Sequence, residues 1–417
     1  MAVLRDGGGC SAPLALLLMG EEHGLVTDLL SVWWIALAAA LGPVLALITR
    51  RVVPDVVWLL VFGALIGPHA LGLAAATDAV GFLRELGLGL LFLLAGFEVR
   101  VADMHGAQGR HAALTWAGCA ALGVGAGLLL THGQLQVAIV VAIASTSTAL
   151  GTLLPILKDS GGTGTPLGRA IMTHGAYGEL LPIVAMSVLL STRGTWQAAA
   201  VLLAFAAAAV IVVVLPARIL RRLPLLGRAV MGASNTTMQT TLRITVLVLV
   251  TLMLLTAVLE LDVALGAFSA GLLSNAVLQA VTQGHAEEIA HKIEIVGFSL
   301  LIPVFFVTSG MAIDIAAVAS QWPLLLGFIA VILLVRGLPV FLREAWTATR
   351  SGITGTREQV ALGLYAATGL PIIVAVTQIA ASSQLITATT ASVMVSAGAV
   401  TVLLFPLVAS RLSRHAT

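Results

Sequence analysis

Residues 142–158 read "AIASTSTALGTLLPILK", an apolar segment interrupted by the hydroxyl run Ser145, Thr146, Ser147 and Thr148, and then by Gly151 and Pro155. Residues 362–376 read "LGLYAATGLPIIVAV", with Gly369 and Pro371 in the same order. Each stretch has Thr, then Gly, then Leu-Pro-Ile in a segment that is otherwise apolar enough to sit in lipid. Gly and Pro free backbone carbonyls and amides that lipid cannot satisfy, so such a break is tolerated where it lines a cavity. A single one reads equally well as a Pro kink, and Leu-Pro-Ile recurs at 181–183. Two at matching places in a repeat point to an ion site, because exposed half-helix ends can hold an ion.

The rest of the chain supplies the lipid context. It has 417 residues, 59% hydrophobic and 10% charged, with a mean hydropathy of +1.07. A soluble domain is nearer about one quarter charged, so this composition indicates an all-α polytopic membrane protein. The 42 glycines suit close helix approach in a membrane. A net charge of +2, with no basic cluster interleaved with aromatics, gives no reason to expect a nucleic-acid partner. Cys10 and Cys119 are too few for a disulfide framework or a thiolate metal site.

Apolar runs predict about thirteen spans, near 27–49, 52–72, 81–100, 111–132, 136–157, 166–192, 196–220, 241–261, 263–281, 293–318, 323–345, 358–380 and 387–411. Residues 1–26 read as a disordered leader. If the amino terminus lies outside, every Lys and Arg except Arg5, Arg84, Arg193 and Arg336 falls on the cytoplasmic side, which is the segregation the positive-inside rule expects. The carboxyl terminus is then cytoplasmic, with a tail at 413–417. No soluble domain is expected to follow.

Taking the seventh span as a connector leaves six on each side, and the second six must enter the membrane inverted. The expected fold is therefore two inverted six-helix repeats with a broken helix in each, and a site at the midplane where they meet.

Two ionisable side chains fall near that midplane: Glu179, in "GAYGELLPIV" (175–184), and Arg336. Charge there costs of order 2.5–3.5 kcal/mol per residue, so a chain keeps it for a reason. A carboxylate can exchange a proton for a metal cation, because both compete for the same oxygens. Arginine does not lose its proton in a protein, so Arg336 reads as a structural counter-charge that offsets half-helix ends or holds Glu179 when no cation is bound. Ser145, Thr146, Ser147 and Thr148 offer hard oxygen ligands alongside Glu179, against the plainer reading that they back-bond to the preceding turn. His174 is a candidate for tuning the pH response. Glu98, Glu294 and Asp314 sit towards span ends, where solvation or pairing suffices to explain them.

Several motifs together resemble the bacterial monovalent cation/proton antiporters, in the branch that holds sodium/proton exchangers and potassium-efflux systems. "PDVVWLLVFGALIGPHALG" (54–72) is similar to the branch's second-span signature, and "LGLGLLFLLAGFEVR" (86–100) to its run ending in Gly-Leu-Glu. "ELDVALGAFSAGLL" (260–273), "LIPVFFVTSGMAIDI" (301–315) and "STALGTLLPILKDSGGTGTPLGR" (147–169) resemble further motifs, in the expected order. The resemblance implies that Glu179 is the ion-binding carboxylate, that its usual acidic or Asn partner is replaced by Gly178, and that Arg336 stands for a basic residue that is usually Lys. It also implies a homodimer with a scaffold at 27–108 and 241–320, an ion-carrying core at 109–194 and 321–412, and a linker at 195–240. The second break, Ala367-Thr368-Gly369-Leu370-Pro371, departs from the potassium-efflux pattern, and the expected lack of a nucleotide-binding tail points the same way.

The function expected is exchange of a monovalent cation (Na⁺ ahead of K⁺, with Li⁺ open) for a proton, by alternating access and with no net charge moved. A sodium-coupled organic-anion symporter, or a channel or sensor on the same fold, is the alternative. No His-Glu-x-x-His, Gly-x-Gly-Asp or adjacent Ser/His pair supports hydrolysis, so an enzyme is not expected and no cofactor is implied.

Overall fold

The computed structural model describes residues 12–49, 53–99, 106–159, 162–190, 195–222, 240–281 and 286–414, and every regular element among them is helical. In chain order the helices are α1 (Ala12–Ile48), α2 (Asp55–Ile66), α3 (Asp78–Glu98), α4 (Ala107–Leu130), α5 (Leu135–Thr146), α6 (Leu150–Asp159), α7 (Pro166–Leu189) and α8 (Thr195–Arg222). They continue as α9 (Thr240–Val258), α10 (Val263–Val281), α11 (286–311), α12 (Ile315–Ser320), α13 (Trp322–Trp346), α14 (Thr356–Ala366), α15 (Pro371–Ser382) and α16 (Ala388–Arg414).

α1 starts at Ala12, so the part of the expected leader from that residue onward is helical and runs into the first span without a break. Leu, Ala, Met and Glu in that stretch are good helix formers, which explains the extension. Residues 1–11, residues 223–239 of the expected linker and the tail residues 415–417 lie outside the described residues.

Among the described residues, nine stretches are long and apolar enough to cross a membrane by length and composition, and α2, α9 and α10 are shorter apolar helices. α7 belongs to neither group, because Thr173, His174 and Glu179 dilute its hydropathy; all three are buried. A total of thirteen requires those four helices to cross as well. The outward faces carry large apolar side chains, among them Leu129, Trp196, Leu203 and Leu254. Such a surface is stable facing lipid tails and unfavourable facing water.

Close glycine contacts fix the centre of the bundle. α2 meets α11 at Gly63 and Gly310, and α3 meets α10 at Gly96 and Gly271. A Cβ at any of the four would run into a backbone carbonyl of the facing helix, namely Val307, Leu60, Phe268 and Leu93 in turn. Small residues let membrane helices approach this closely, and the packing gained replaces the hydrophobic drive that lipid does not provide. In the expected repeat α2 corresponds to α10 and α3 to α11, so a two-fold operation exchanges the two contacts.

The broken segments lie deepest. The stretch spanning α14 and α15 is 89% buried and that around α5 is 72%, against 22% for α4 and for α8. Those are the positions where backbone interruptions can be enclosed by protein. π-helical turns at Gly297–Leu301 in α11 and Leu333–Gly337 in α13 were not legible in the sequence. The second one carries Arg336.

Gly271→Val forces a branched side chain into the α3 backbone, and overpacking of this kind costs about 1–3 kcal/mol. The expected result is a lower melting temperature in detergent and less protein in the membrane. Gly327→Ala, at a position with open space around it, leaves both unchanged. Equal melting of the two variants would remove the glycine contact from the account of the fold.

Candidate functional site

The two interruptions meet face to face. α5 ends at Thr146 and α6 begins at Leu150; α14 ends at Ala366 and α15 begins at Pro371. Across the gap the Ala149 amide donates to the Thr368 carbonyl at 2.7 Å, and the Thr148 amide donates to the Gly178 carbonyl of α7 at 2.8 Å. The Thr148 hydroxyl donates to the Ala366 carbonyl at 2.6 Å. Backbone groups freed by one break are thus satisfied by the other break and by α7, and none of these bonds needs water or lipid.

The first break falls at residues 147–149, upstream of the expected breakers, and Gly151 and Pro155 lie within α6. The hydroxyls account for the shift. Ser145 and Thr146 donate to the Ala142 carbonyl at 3.3 and 2.7 Å, and Ser147 donates to that of Ala144 at 2.8 Å, which ends α5 without a glycine. In the second break Gly369 stands in the gap, against Ser147, and Pro371 is the first residue of α15, where a missing N–H is no loss.

α7 starts with Thr165 accepting from the Gly168 amide at 3.0 Å, with Pro166 in its first turn. This places Glu179 in mid-helix, 2% exposed. The Leu150 amide hydrogen-bonds the carboxylate. Leu150 opens α6, so the carboxylate faces the amide-rich, positive end of a half-helix. Its Oε2 has no hydrogen-bond partner.

Arg336 is fully buried. Its Nε and Nη2 donate to Thr148 Oγ1 at 3.2 and 3.1 Å, Nη2 also donates to the His174 carbonyl at 2.8 Å, and the Cys119 thiol of α4 lies against the guanidinium. Thr148 and Ala366 adjoin the carboxyl-terminal ends of α5 and α14, where unsatisfied carbonyls concentrate negative potential. Among the described residues Arg336 and Glu179 form no ion pair, and Nη1 of Arg336 has no hydrogen-bond partner. The guanidinium is thus placed beside two half-helix ends and clear of an ion pair with Glu179.

Gly178 explains how a guanidinium fits there. A Cβ at this position would collide with Thr148 Oγ1 and would lie 2.5 Å from Arg336 Nη2. The space that a partner side chain to Glu179 would occupy is filled by Arg336 and Thr148.

His174 is 3% exposed with Nδ1 unpartnered, in the electrostatic range of Arg336 and Arg343. Asp314 caps α12, accepting from the Ala317 amide at 2.9 Å, and Glu294 pairs with His291 at 3.4 Å, so both have the structural explanations expected of them.

Glu98 stands at a span end, as expected, and also bears on the site. It ends α3, and its charge acts on Glu179. Its position along the chain shows only a span end; packing of α3 beside α6 brings it towards the site. The one signal available was that a carboxylate closes a span of the expected scaffold. Cys119 was missed in the same way. No cluster of three or more His, Cys, Asp or Glu suited to a metal ion occurs among the described residues.

Two broken helices crossing beside a buried carboxylate are the arrangement in which secondary transporters hold an ion. The chain belongs to the transmembrane sodium/hydrogen exchanger family, which matches residues 35–414. It is 22% identical over 276 residues to the probable Na⁺/H⁺ antiporter GerT of Bacillus cereus, covering 64% of this chain and 70% of that protein. With the putative Na⁺/H⁺ antiporter YjbQ of Bacillus subtilis it shares 24% over 347 residues, covering 78% of this chain but only 54% of its relative. Its fold matches the sodium proton antiporter MjNhaP1 of Methanocaldococcus jannaschii at a TM-score of 0.66 and 20% identity, covering 92% of this chain and 97% of that one.

Arg336→Ala removes charge-assisted hydrogen bonds worth about 1.5–3 kcal/mol each and leaves the half-helix ends without their positive charge. Arg336→Lys keeps the charge, so it is expected to melt in detergent between wild type and Arg336→Ala. An Arg336→Ala protein that melts with wild type would show that the guanidinium does not hold the crossing together.

Proposed function

We propose that the chain exchanges a monovalent cation for a proton across the membrane by alternating access, with Glu179 as the exchanging carboxylate. The observation that carries this reading is a buried carboxylate with one free oxygen, set at the positive end of a half-helix beside a second break. Deprotonated, it offers oxygen to an alkali cation; protonated, it crosses neutral. Ser145, Thr146 and Ser147, with the carbonyls near the breaks, are the proposed further ligands, and Glu98 contributes charge from α3. Family membership and the descriptions of GerT and YjbQ support Na⁺ ahead of K⁺ or Li⁺.

In the same reading, segments 27–108 and 241–320 form a scaffold that pairs two copies of the chain, and 109–194 with 321–412 move against it as the core. The crossing bonds between residues 148–149 and 366–368 favour motion of that core as one body. The basic-residue segregation favours an outside amino terminus and a cytoplasmic carboxyl terminus.

Glu179→Gln removes charge and proton exchange with little change in volume. In everted vesicles it is expected to abolish cation-driven proton movement while the protein stays folded. Glu179→Asp keeps partial activity with altered apparent affinity, because the carboxylate retreats by one methylene. Wild-type exchange by Glu179→Gln would reject Glu179 as the site.

One proton per cation is expected, and so no net charge movement. Arg336 holds its proton and Gly178 has no side chain, which leaves Glu179 as the one group placed to exchange a proton. The check is a liposome with an imposed membrane potential and no ion gradients. Sustained cation accumulation there would show that a second proton moves, through Glu98 or His174.

A further inference from the structure

The Thr148 hydroxyl is used to capacity. It has one proton, given to the Ala366 carbonyl at 2.6 Å, and two lone pairs, facing Nε and Nη2 of Arg336 at 3.2 and 3.1 Å. Nothing is left on it for a cation, although it stands in the same hydroxyl run as Ser145, Thr146 and Ser147. Its own amide is committed to the Gly178 carbonyl. It is therefore unlike its neighbours in the run, whose hydroxyls turn back onto α5.

What it holds is a permanent cation one residue away from the carboxylate. Arg336 Nη2 lies where a side chain on Gly178 would begin, and Glu179 is the next residue. Both side chains are buried and each keeps an unused polar atom, Nη1 on one and Oε2 on the other. They form no ion pair. The bonds that fix the guanidinium at Gly178 are those to Thr148 Oγ1 and to the His174 carbonyl, and the first of these belongs to a side chain.

We propose that Thr148 is a positioning residue of the exchange cycle: its hydroxyl holds the Arg336 guanidinium aside at Gly178, so that Glu179 meets the transported cation instead of an internal one. This rests on Glu179 being the exchange site. Loss of the hydroxyl lets Arg336 turn towards Glu179 and compete with both of its ligands, the cation and the proton. A carboxylate paired with a guanidinium is harder to protonate, so the activity profile moves to lower pH. The other titratable or charged groups around the pair are Glu98 of α3, Cys119 of α4, His174 of α7 and Arg343 of α13. None of them is altered by a change at Thr148.

The test measures cation-driven proton movement in everted vesicles as a function of cation concentration and pH. Thr148→Val is expected to raise the apparent KM for the cation about tenfold and to move the profile about one pH unit towards acid, the two being equivalent in free energy. Thr148→Ser keeps the hydroxyl and restores both. Adding Arg336→Gln to Thr148→Val removes the internal competitor, so KM and profile return to those of Arg336→Gln alone, which a merely structural role for Thr148 would not produce. Should Thr148→Val fail to reach the membrane, Thr148→Ala is read in the same way. An unchanged KM and profile, or a shift that persists in the double variant, overturns the inference. Wild-type vesicles without any exchange would overturn the proposed function itself.

Discussion

Lipid offers no hydrogen bonds, and the architecture around the site follows from that. A helix that breaks inside a membrane exposes amides and carbonyls, each costing several kcal/mol if left alone. Here each break completes the other. Ala149 bonds to Thr368 and Thr148 to Ala366, with Gly178 of α7 taking a further amide. The interrupted segments must therefore be enclosed, and they are the most buried of the candidate spans among the described residues; the helices around them must pack closely enough to enclose them. The glycine contacts of α2 with α11 and of α3 with α10 provide that packing.

The same constraint produces the site. Bringing the ends of four half-helices together concentrates positive potential at α6 and negative potential at α5 and α14. Glu179 occupies the first and Arg336 the second, which separates two opposite charges that would otherwise neutralise each other. A carboxylate left unpaired in this way is suited to binding and releasing a small cation. A carboxylate in a buried ion pair would be a structural element instead.

Much of this was legible in the residues. Thr-x-x-Gly-x-x-Leu-Pro-Ile and Thr-Gly-Leu-Pro-Ile at matching repeat positions identified the interrupted segments, and a lone Glu and a lone Arg in apolar stretches identified the two charges. The exact place of the first break was not legible. The sequence cue was Gly151 and Pro155, but a chain ends a helix wherever its carbonyls find other donors, and Ser145, Thr146 and Ser147 supplied them one turn earlier. The bearing of Glu98 and Cys119 on the site was not legible, because it depends on which helices lie beside α6 and α13.

The sequence by itself determined that the chain is a bundle of apolar helices with two backbone interruptions and few intramembrane charges, since hydropathy, Gly/Pro chemistry and charge cost act locally along the chain. Tertiary structure alone decided what those charges touch. Gly178 looked like a missing partner for Glu179; in three dimensions it is the opening through which Arg336 reaches Thr148. Whether a buried guanidinium neutralises a neighbouring carboxylate or stands clear of it is set by a few ångströms between helices far apart in sequence, and no local pattern encodes that distance.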